Sequence, residues 1–318
     1  MTPEVEALNP STSATAQLKL PLTDFWAVIL VVLTGVSYGS QAIIGKWAYA
    51  NGGNAITVLT VRSVIATFIV WLIIAFLKPP LVLPIRKVIK LSLLGVVFVS
   101  SSVTYYVSLM YVPVGTAILI AYIFPALVVV GAVIFFKEKF TRVKGIALLL
   151  ALSGCFLTVD PVQVLSGKLN LNGFGLLLAL ISAFVTAAYI LLSSRFGRGV
   201  PGLVASAYSL PAIALVYVLW CALGQVGLDM GVVGGGFAFN MNWVGWVCCI
   251  VIGFATSLAW TFYLIGLPKV GPSRAAILVT SEPATAVFLG ILLLGEAASP
   301  VKLVGGALIF WAVYLLRK

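Results

Sequence analysis

The sequence predicts an all-α integral membrane protein with ten transmembrane helices, arranged as two inverted five-helix repeats around a central cavity. Of 318 residues, 62% are hydrophobic and only 8% are charged, with a mean hydropathy of +1.18. A soluble domain carries about 25% charged residues, so most of this surface must face lipid. The other two observations are the spacing of the apolar runs and a Gly/Pro pattern that occurs in both halves.

Ten segments are apolar and close to the length of about 20 residues that a helix needs to cross the hydrocarbon. They are residues 25–46, 55–77, 88–110, 114–136, 143–160, 173–195, 202–224, 242–266, 272–295 and 301–317. No segment alternates with a period of two, so the spans are predicted to be helices and not barrel strands. The fifth and the tenth are the shortest.

The internal repeat rests on the spacing of proline and glutamate. Pro125 precedes Glu138 by thirteen residues, and Pro283 precedes Glu296 by the same distance. Because five helices is an odd number, a second copy would enter the membrane from the other side, as in many secondary transporters. The predicted organisation is a disordered tail at 1–24, a first repeat at 25–160, a loop at 161–172 and a second repeat at 173–318.

The distribution of cations predicts the orientation. With the N-terminus in the cytoplasm, fifteen Lys and Arg residues lie on the inner side and three on the outer side, and Arg62 lies within a helix. Cytoplasmic loops carry the excess of positive charge. Both termini are therefore predicted to be cytoplasmic, in the plasma membrane, which in a prokaryote is the inner membrane.

Composition also excludes several functions. The chain has no histidine, and its four cysteines lie in apolar runs. We expect no metal, no cofactor and no enzymatic site, because no nucleophile and base or paired carboxylates converge. The cations are scattered between apolar runs, so nucleic acid is not an expected partner. The expected partners are the lipid bilayer and a small-molecule substrate, and the expected state is a monomer or homodimer.

Several short motifs occur in order along both halves. They are Tyr38 to Lys46 in the first helix, Arg62 in the second, Ala187-Ala188-Tyr189 in the sixth, and Glu282-Pro283 with Gly295-Glu296 in the ninth. With them, the chain resembles the EamA-type transporters of the drug/metabolite transporter superfamily, although Tyr38 stands where that family has tryptophan. The resemblance covers residues 25 to 317.

The resemblance implies a ten-helix bundle whose central cavity opens alternately to the two sides, most often for export. The expected function is secondary transport of a small metabolite, such as an amino acid or a similar amphipathic solute. One alternative is a non-transporting membrane scaffold or sensor. Another is sugar-phosphate or nucleotide-sugar exchange, which would need several cations deep in the bundle, whereas the late helices offer Arg274 alone.

Charged residues inside a bilayer cost several kcal/mol and are functional candidates for that reason. Glu282 lies about ten residues into the ninth helix, where it would hold a cation, a proton or a substrate amine, or would brace the break at Pro283. Lys46 and Arg62 are expected to act in gating or charge pairing. Either they are structural and extend toward the outer interface, or they hold the outer gate or attract a substrate carboxylate. Glu138 is expected to pair with loop cations or to cap a helix end.

Polar and aromatic residues at mid-membrane depth are the predicted substrate ligands. Thr256, Trp260 and Tyr263 share one face of the eighth helix because of their spacing. Pro125 and Pro283 are expected to let helices 3–4 and 8–9 bend as gates. The full set of predicted ligands is Ser40, Gln41, Tyr105, Tyr122, Tyr189, Thr256, Trp260, Tyr263 and Glu282.

Overall fold

The computed structural model describes residues 23–108, 110–112, 114–159, 172–227, 236–295 and 299–316. Within these ranges the chain forms twelve helices and no strands. The predicted tail at 1–24 and loop at 161–172 lie almost entirely outside the described residues, and so does Glu296. The all-helical class is confirmed for the described part of the chain.

The twelve helices follow one another in chain order. The first six are α1 (Asp24–Ala50), α2 (Ala55–Leu77), α3 (Ile85–Ser108), α4 (Val114–Ala121), α5 (Phe124–Phe136) and α6 (Arg142–Thr158). The other six are α7 (Gly173–Phe196), α8 (Gly202–Gln225), α9 (Trp243–Val270), α10 (Pro272–Leu278), α11 (Ser281–Leu294) and α12 (Pro300–Leu315).

Among the described residues, eight segments are long and apolar enough to cross a membrane. They are α1, α2, α3, α7, α8 and α9, the segment 116–136 that contains most of α4 and all of α5, and the segment 272–294 formed by α10 and α11. The apolar helix α12 is shorter, and α6 has 17 residues and begins with Arg142 and Lys144. The multi-pass membrane architecture is thus confirmed, while the count of ten spans stays a prediction.

Two of the predicted spans are interrupted. Between α4 and α5, the Ile123 N–H donates to the Ile120 carbonyl at 3.1 Å; between α10 and α11, the Thr280 N–H donates to the Ile277 carbonyl at 3.1 Å. These i to i−3 bonds replace the regular helical pattern. Each break lies just before a proline, Pro125 or Pro283, whose ring and missing N–H are incompatible with a continuous helix. The expected break in backbone bonding is therefore present in both segments.

Helix packing follows a reciprocal pattern. The helix α1 packs against α9 and α11, and α7 packs in the same way against α3 and α5. The helix α2 packs against α8 and α9, and α8 correspondingly packs against α2 and α3. The helices α6 and α12 pack against each other. Hydroxyl groups support the two main pairs. Thr34 Oγ1 donates to the Ala259 carbonyl at 3.2 Å, and Ser101 Oγ donates to the Ser182 carbonyl at 3.2 Å. The pairs α1–α9 and α3–α7 form the frame around the candidate site.

Glycines let α1 approach the backbone of α11. A Cβ atom at Gly39 would lie 2.5 Å from the Glu282 carbonyl oxygen and 2.8 Å from Thr285 Cβ. A Cβ atom at Gly35 would lie 2.7 Å from the Val279 carbonyl oxygen. Small residues at such a spacing are what close packing of helices in a membrane requires. This approach brings Glu282 beside α1.

Candidate functional site

A small cavity lies between five helices, α1, α2, α3, α8 and α9. Its lining combines one guanidinium and several hydroxyls with large apolar side chains. The lining residues are Tyr38, Arg62, Ser63, Phe98, Leu210, Ile213, Thr256 and Trp260. A cavity that offers few polar groups within an apolar wall is typical of small-molecule sites.

One wall of the cavity is polar and joins three helices. Arg62 Nη1 of α2 donates to Gln41 Oε1 of α1 at 3.4 Å, and Thr256 Oγ1 of α9 donates to the same oxygen at 3.0 Å. Arg62 is half-buried, and its guanidinium reaches the side chain of α1 that Thr256 also contacts. Arg62 Nε and Gln41 Nε2 are buried and have no hydrogen-bond partner among the described residues.

A glycine in α9 makes this wall possible. A Cβ atom at Gly253 would lie 2.6 Å from Ile65 Cβ and 3.2 Å from the Arg62 carbonyl oxygen. The absence of a side chain at Gly253 thus lets α2 lie close to α9. Thr256 follows three residues later on the same helical surface, where it reaches Gln41 together with Arg62.

Aromatic rings lie beside these polar groups, and two of them, Phe98 and Trp260, line the cavity. The Phe98 ring lies 4.8 Å from that of Trp260 and 5.3 Å from that of Tyr189, both edge to face. Tyr189 also lies 5.5 Å from Trp260 and 6.2 Å from Tyr263. The Trp260 indole donates to Ser209 Oγ at 2.8 Å, which satisfies its polar group. We call Phe98, Tyr189, Trp260 and Tyr263 the aromatic cluster.

Glu282 lies at the edge of this region, in the first turn of α11. A helix N-terminus favours negative charge because its N–H groups are unpaired. The residue is half-buried, and its backbone carbonyl oxygen lies 2.5 Å from the position of a Cβ atom at Gly39, which places it beside α1. In the described part of the chain, its carboxylate makes no hydrogen bond or ion pair.

The structure brings Gln41, Arg62, Thr256, Trp260, Tyr189 and Tyr263 together and places Glu282 nearby. Other predicted residues lie apart from the cavity lining. The Ser40 hydroxyl donates to the Ser37 carbonyl at 2.8 Å. Tyr105 is half-buried and within electrostatic range of Tyr122, whose ring is 5.9 Å from that of Phe124.

The charged and proline candidates occupy different places. Lys46 is exposed on α1, which continues to Ala50 and so extends past the predicted end at residue 46. Pro125 is buried and Pro283 is half-buried. Glu138 pairs with Lys144 at 2.9 Å, which confirms the expected pairing with a loop-side cation.

Several residues of the site were missed by the sequence reasoning. Tyr38 precedes Gln41 by three positions on α1, so helical spacing would have placed both on one face. Phe98 and Ser209, from α3 and α8, carry no such signal. Each is an ordinary residue for an apolar helix, and its role is visible only when the helices are packed together.

Comparison with known proteins gives a consistent result. The model of the EamA-like transporter family matches residues 25–160 and again residues 173–318. The chain is 24% identical over 290 residues to the uncharacterized transporter YcbK of Bacillus subtilis, covering 90% of each protein. It is 29% identical over 178 residues to the uncharacterized transporter YwfM of the same organism, covering 54% of this chain and 53% of YwfM.

A solved crystal structure has the same fold. The two structures superpose with a TM-score of 0.72 at 18% sequence identity, over 91% of this chain and 96% of the other. At that identity the likeness concerns the fold alone.

Proposed function

The chain belongs to the EamA-like transporter family of the drug/metabolite transporter superfamily, and from that premise we propose that it is a secondary transporter of a small amphipathic metabolite. The substrate class is an amino acid or a similar solute, and the direction is export across the plasma membrane. The observation that carries the proposal is the small cavity in which Arg62 and Thr256 lie beside the rings of Phe98 and Trp260. Such a cavity suits a solute with a polar end and an apolar body.

Two inverted five-helix repeats are part of the proposal. The family model matches the two halves separately, and the packing of α1 on α9 and α11 corresponds to that of α7 on α3 and α5. The segments α4–α5 and α10–α11 are also interrupted in the same way. These observations support a duplicated unit. Inversion of the second copy, ten spans and cytoplasmic termini complete the proposal and follow from an odd number of helices in each unit and from the distribution of Lys and Arg.

Alternating access would use the interrupted segments. The helix breaks before Pro125 and Pro283 leave backbone bonding incomplete, so α4–α5 and α10–α11 are the segments that we expect to bend. Both pack beside the cavity frame, on α7 and on α1 respectively. Cysteine pairs that lock each segment to its packing partner test this role, and full transport by every locked form would contradict it.

Reconstitution tests the function itself. Purified protein in liposomes would be preloaded with single unlabelled amino acids, amines, nucleosides or sugar phosphates, and the entry of the same labelled compound would be followed. We expect counterflow of at least one amphipathic compound above the level of protein-free liposomes. A panel in which no compound exchanges would contradict transport and favour a scaffold or sensor, and exchange of sugar phosphates alone would contradict the substrate class.

The matched variants are Arg62→Gln in the cavity and Glu138→Gln at the Lys144 ion pair. Both remove one charge, but only Arg62 lines the cavity. We expect Arg62→Gln to reduce exchange by about tenfold or more, and Glu138→Gln to retain most of it. The direction of transport is then determined by comparing uptake into right-side-out and inside-out vesicles.

A further inference from the structure

Three helices, α3, α5 and α7, each have one end in the same basic region of the surface. Lys90 lies in the second turn of α3, and its Nζ atom lies over the Phe196 ring at the end of α7, 5.5 Å from the ring centroid. Arg198 follows the same end of α7, and its Cζ atom lies 5.3 Å from the centroid of the Phe136 ring at the end of α5. Because residues 196 and 198 are two positions apart, with Cα atoms separated by at most about 7.6 Å, both cations are held at one place on the protein.

Aromatic rings position these two cations. A cation over the face of an aromatic ring is attracted by the ring quadrupole, so Lys90 and Arg198 are less free to move than ordinary surface cations. Both residues are exposed, and so are Arg195, three positions before Arg198, and Lys137, which directly follows the ring beneath Arg198. We call Lys90, Lys137, Arg195 and Arg198 the basic patch.

In the described part of the chain, no acidic residue neutralises the basic patch. Three acidic residues lie in these ranges, Asp24, Glu138 and Glu282. Asp24 lies 3.7 Å from Lys269, and Glu138 lies 2.9 Å from Lys144. Glu282 lies in the first turn of α11, where that helix meets α1. The positive charge of the basic patch is therefore without a carboxylate partner in this part of the protein.

Other cations at the same end of the bundle do have protein partners. The Glu138 carboxylate lies close to the α9–α10 turn, 2.9 Å from the position of a Cβ atom at Gly271. Lys269 and Arg274 lie on either side of that turn. Lys269 forms its ion pair, and Arg274 Nη2 donates to the Leu316 carbonyl. The basic patch differs from these cations because its charge is left for a group outside the protein.

Exposed apolar side chains adjoin the basic patch on two helices. Ile89 and Leu93 lie on either side of Lys90 in α3, and Ile134 and Phe135 lie in the last turn of α5. Both helices belong to segments long and apolar enough to cross a membrane. An anion at the basic patch therefore meets cations and lipid-facing apolar surface together. This combination suits a phospholipid better than a soluble phosphate, because acyl chains can lie along the helices while the head group reaches the cations.

We propose that the basic patch is a binding site for an anionic phospholipid. The lipid phosphate accepts hydrogen bonds from Lys90 Nζ and from the Arg198 guanidinium, and the acyl chains cover the exposed apolar residues of α3 and α5. A zwitterionic lipid would bring its own cation to a cluster of cations, so the basic patch favours a head group with net negative charge. The site lies apart from the central cavity, whose lining includes none of its cations, and it does not depend on which solute is transported.

Lipids that differ only in the head group test the site without changing the protein. Purified protein in detergent would be titrated with phosphatidylglycerol, with phosphatidylcholine of the same acyl chains, and with soluble glycerol 1-phosphate. Native mass spectrometry would measure the bound fraction, and thermal unfolding would measure stabilisation. We expect phosphatidylglycerol to bind about tenfold or more tightly than phosphatidylcholine, and glycerol 1-phosphate to bind far more weakly than phosphatidylglycerol because it has no acyl chains.

Paired substitutions locate the site. Lys90→Gln with Arg198→Gln removes two positive charges from the basic patch, whereas Lys46→Gln with Lys302→Gln removes two from α1 and α12. The first variant should lose the preference for phosphatidylglycerol, and the second should keep it, although both change the net charge of the protein equally.

Three outcomes overturn the inference. They are equal affinity of the unchanged protein for the two lipids, an equal loss of preference in the two paired variants, and binding of glycerol 1-phosphate as tight as that of phosphatidylglycerol. The second outcome would mean that the lipid responds to net charge and not to a site. If the variant of the basic patch does not fold, the single substitution Lys90→Gln, compared with Lys46→Gln, decides by the same measurement.

Discussion

The two interrupted segments, α4–α5 and α10–α11, use the same backbone device with different chemistry. Each breaks just before a proline, at Pro125 and Pro283. The residue before the proline is Phe124 in the first segment and Glu282 in the second. The same type of helix break is therefore followed by an aromatic ring in one segment and by a carboxylate in the other, so the two segments differ in the charge that they carry at this position.

The segments also differ in what lies against them. α11 meets the bare backbone of α1 at Gly35 and Gly39, whereas Gly131 of α5 faces the end of the Leu191 side chain of α7, 2.4 Å from the position of a Cβ atom. Backbone contact cannot yield without moving a whole helix, but a leucine can change rotamer. The segment that carries Glu282 is the more rigidly positioned of the two.

The largest expected effect comes from filling the α1–α11 contact. Gly39→Ala would place Cβ 2.5 Å from the Glu282 carbonyl oxygen, and we expect the free energy of unfolding to fall by about 1–3 kcal/mol because α11 must shift. Transport should fall with it. Thermal unfolding in detergent and counterflow in liposomes measure both.

Two other glycines serve as controls for this substitution. Gly131→Ala should be close to neutral, since Leu191 can move, and Gly45→Ala should be neutral or slightly stabilising because no atom lies within 4 Å of its Cβ position and alanine favours helix. If all three variants have the same unfolding temperature, the inferred difference in rigidity between the two segments is wrong.

The second prediction concerns the residues before the prolines. Glu282→Gln removes the carboxylate in the first turn of α11, beside α1, and we expect exchange to fall by about tenfold or more. Phe124→Leu keeps an apolar side chain and should retain most of the activity. Initial rates of counterflow at equal protein density would be compared, with Glu138→Gln as the charge control. Equal rates for the two glutamate variants would contradict a special role for Glu282.

Sequence reasoning reached the fold class through composition and apolar length, and those quantities do not depend on tertiary contacts. It also selected Gln41, Thr256 and Trp260, because polar and aromatic residues stand out in an apolar helix. It did not find the hydrogen bond from Arg62 to Gln41. That contact depends on Gly253, which brings α2 against α9, and a single helix carries no information about that neighbour.

The third prediction compares the C-terminal ends of the two segments. The C-cap residue of α5 is Lys137 with a φ of 54°, and the C-cap residue of α11 is Gly295 with a φ of 64°. The left-handed conformation costs a side chain about 1 kcal/mol and costs glycine little. We expect Lys137→Gly to stabilise the protein and Gly295→Lys to destabilise it, each by about 1 kcal/mol. Thermal unfolding measures both, and shifts of the same sign would contradict the comparison.

The smallest expected effect comes from the prolines themselves. Each lies in the first turn of the helix that follows its break, where a backbone N–H has no required partner. Pro125→Ala and Pro283→Ala should therefore lower the free energy of unfolding by about 0.4–1 kcal/mol, chiefly by giving the unfolded chain more freedom. Because the same proline-preceded break occurs in both segments, the two variants should lose equal free energy of unfolding, as measured by thermal unfolding.

The transport rates should distinguish the two segments. Restoring an N–H beside Glu282 should slow counterflow more than restoring one beside Phe124. If Pro125→Ala slowed counterflow more than Pro283→Ala did, the helix break that matters for transport would be the one between α4 and α5.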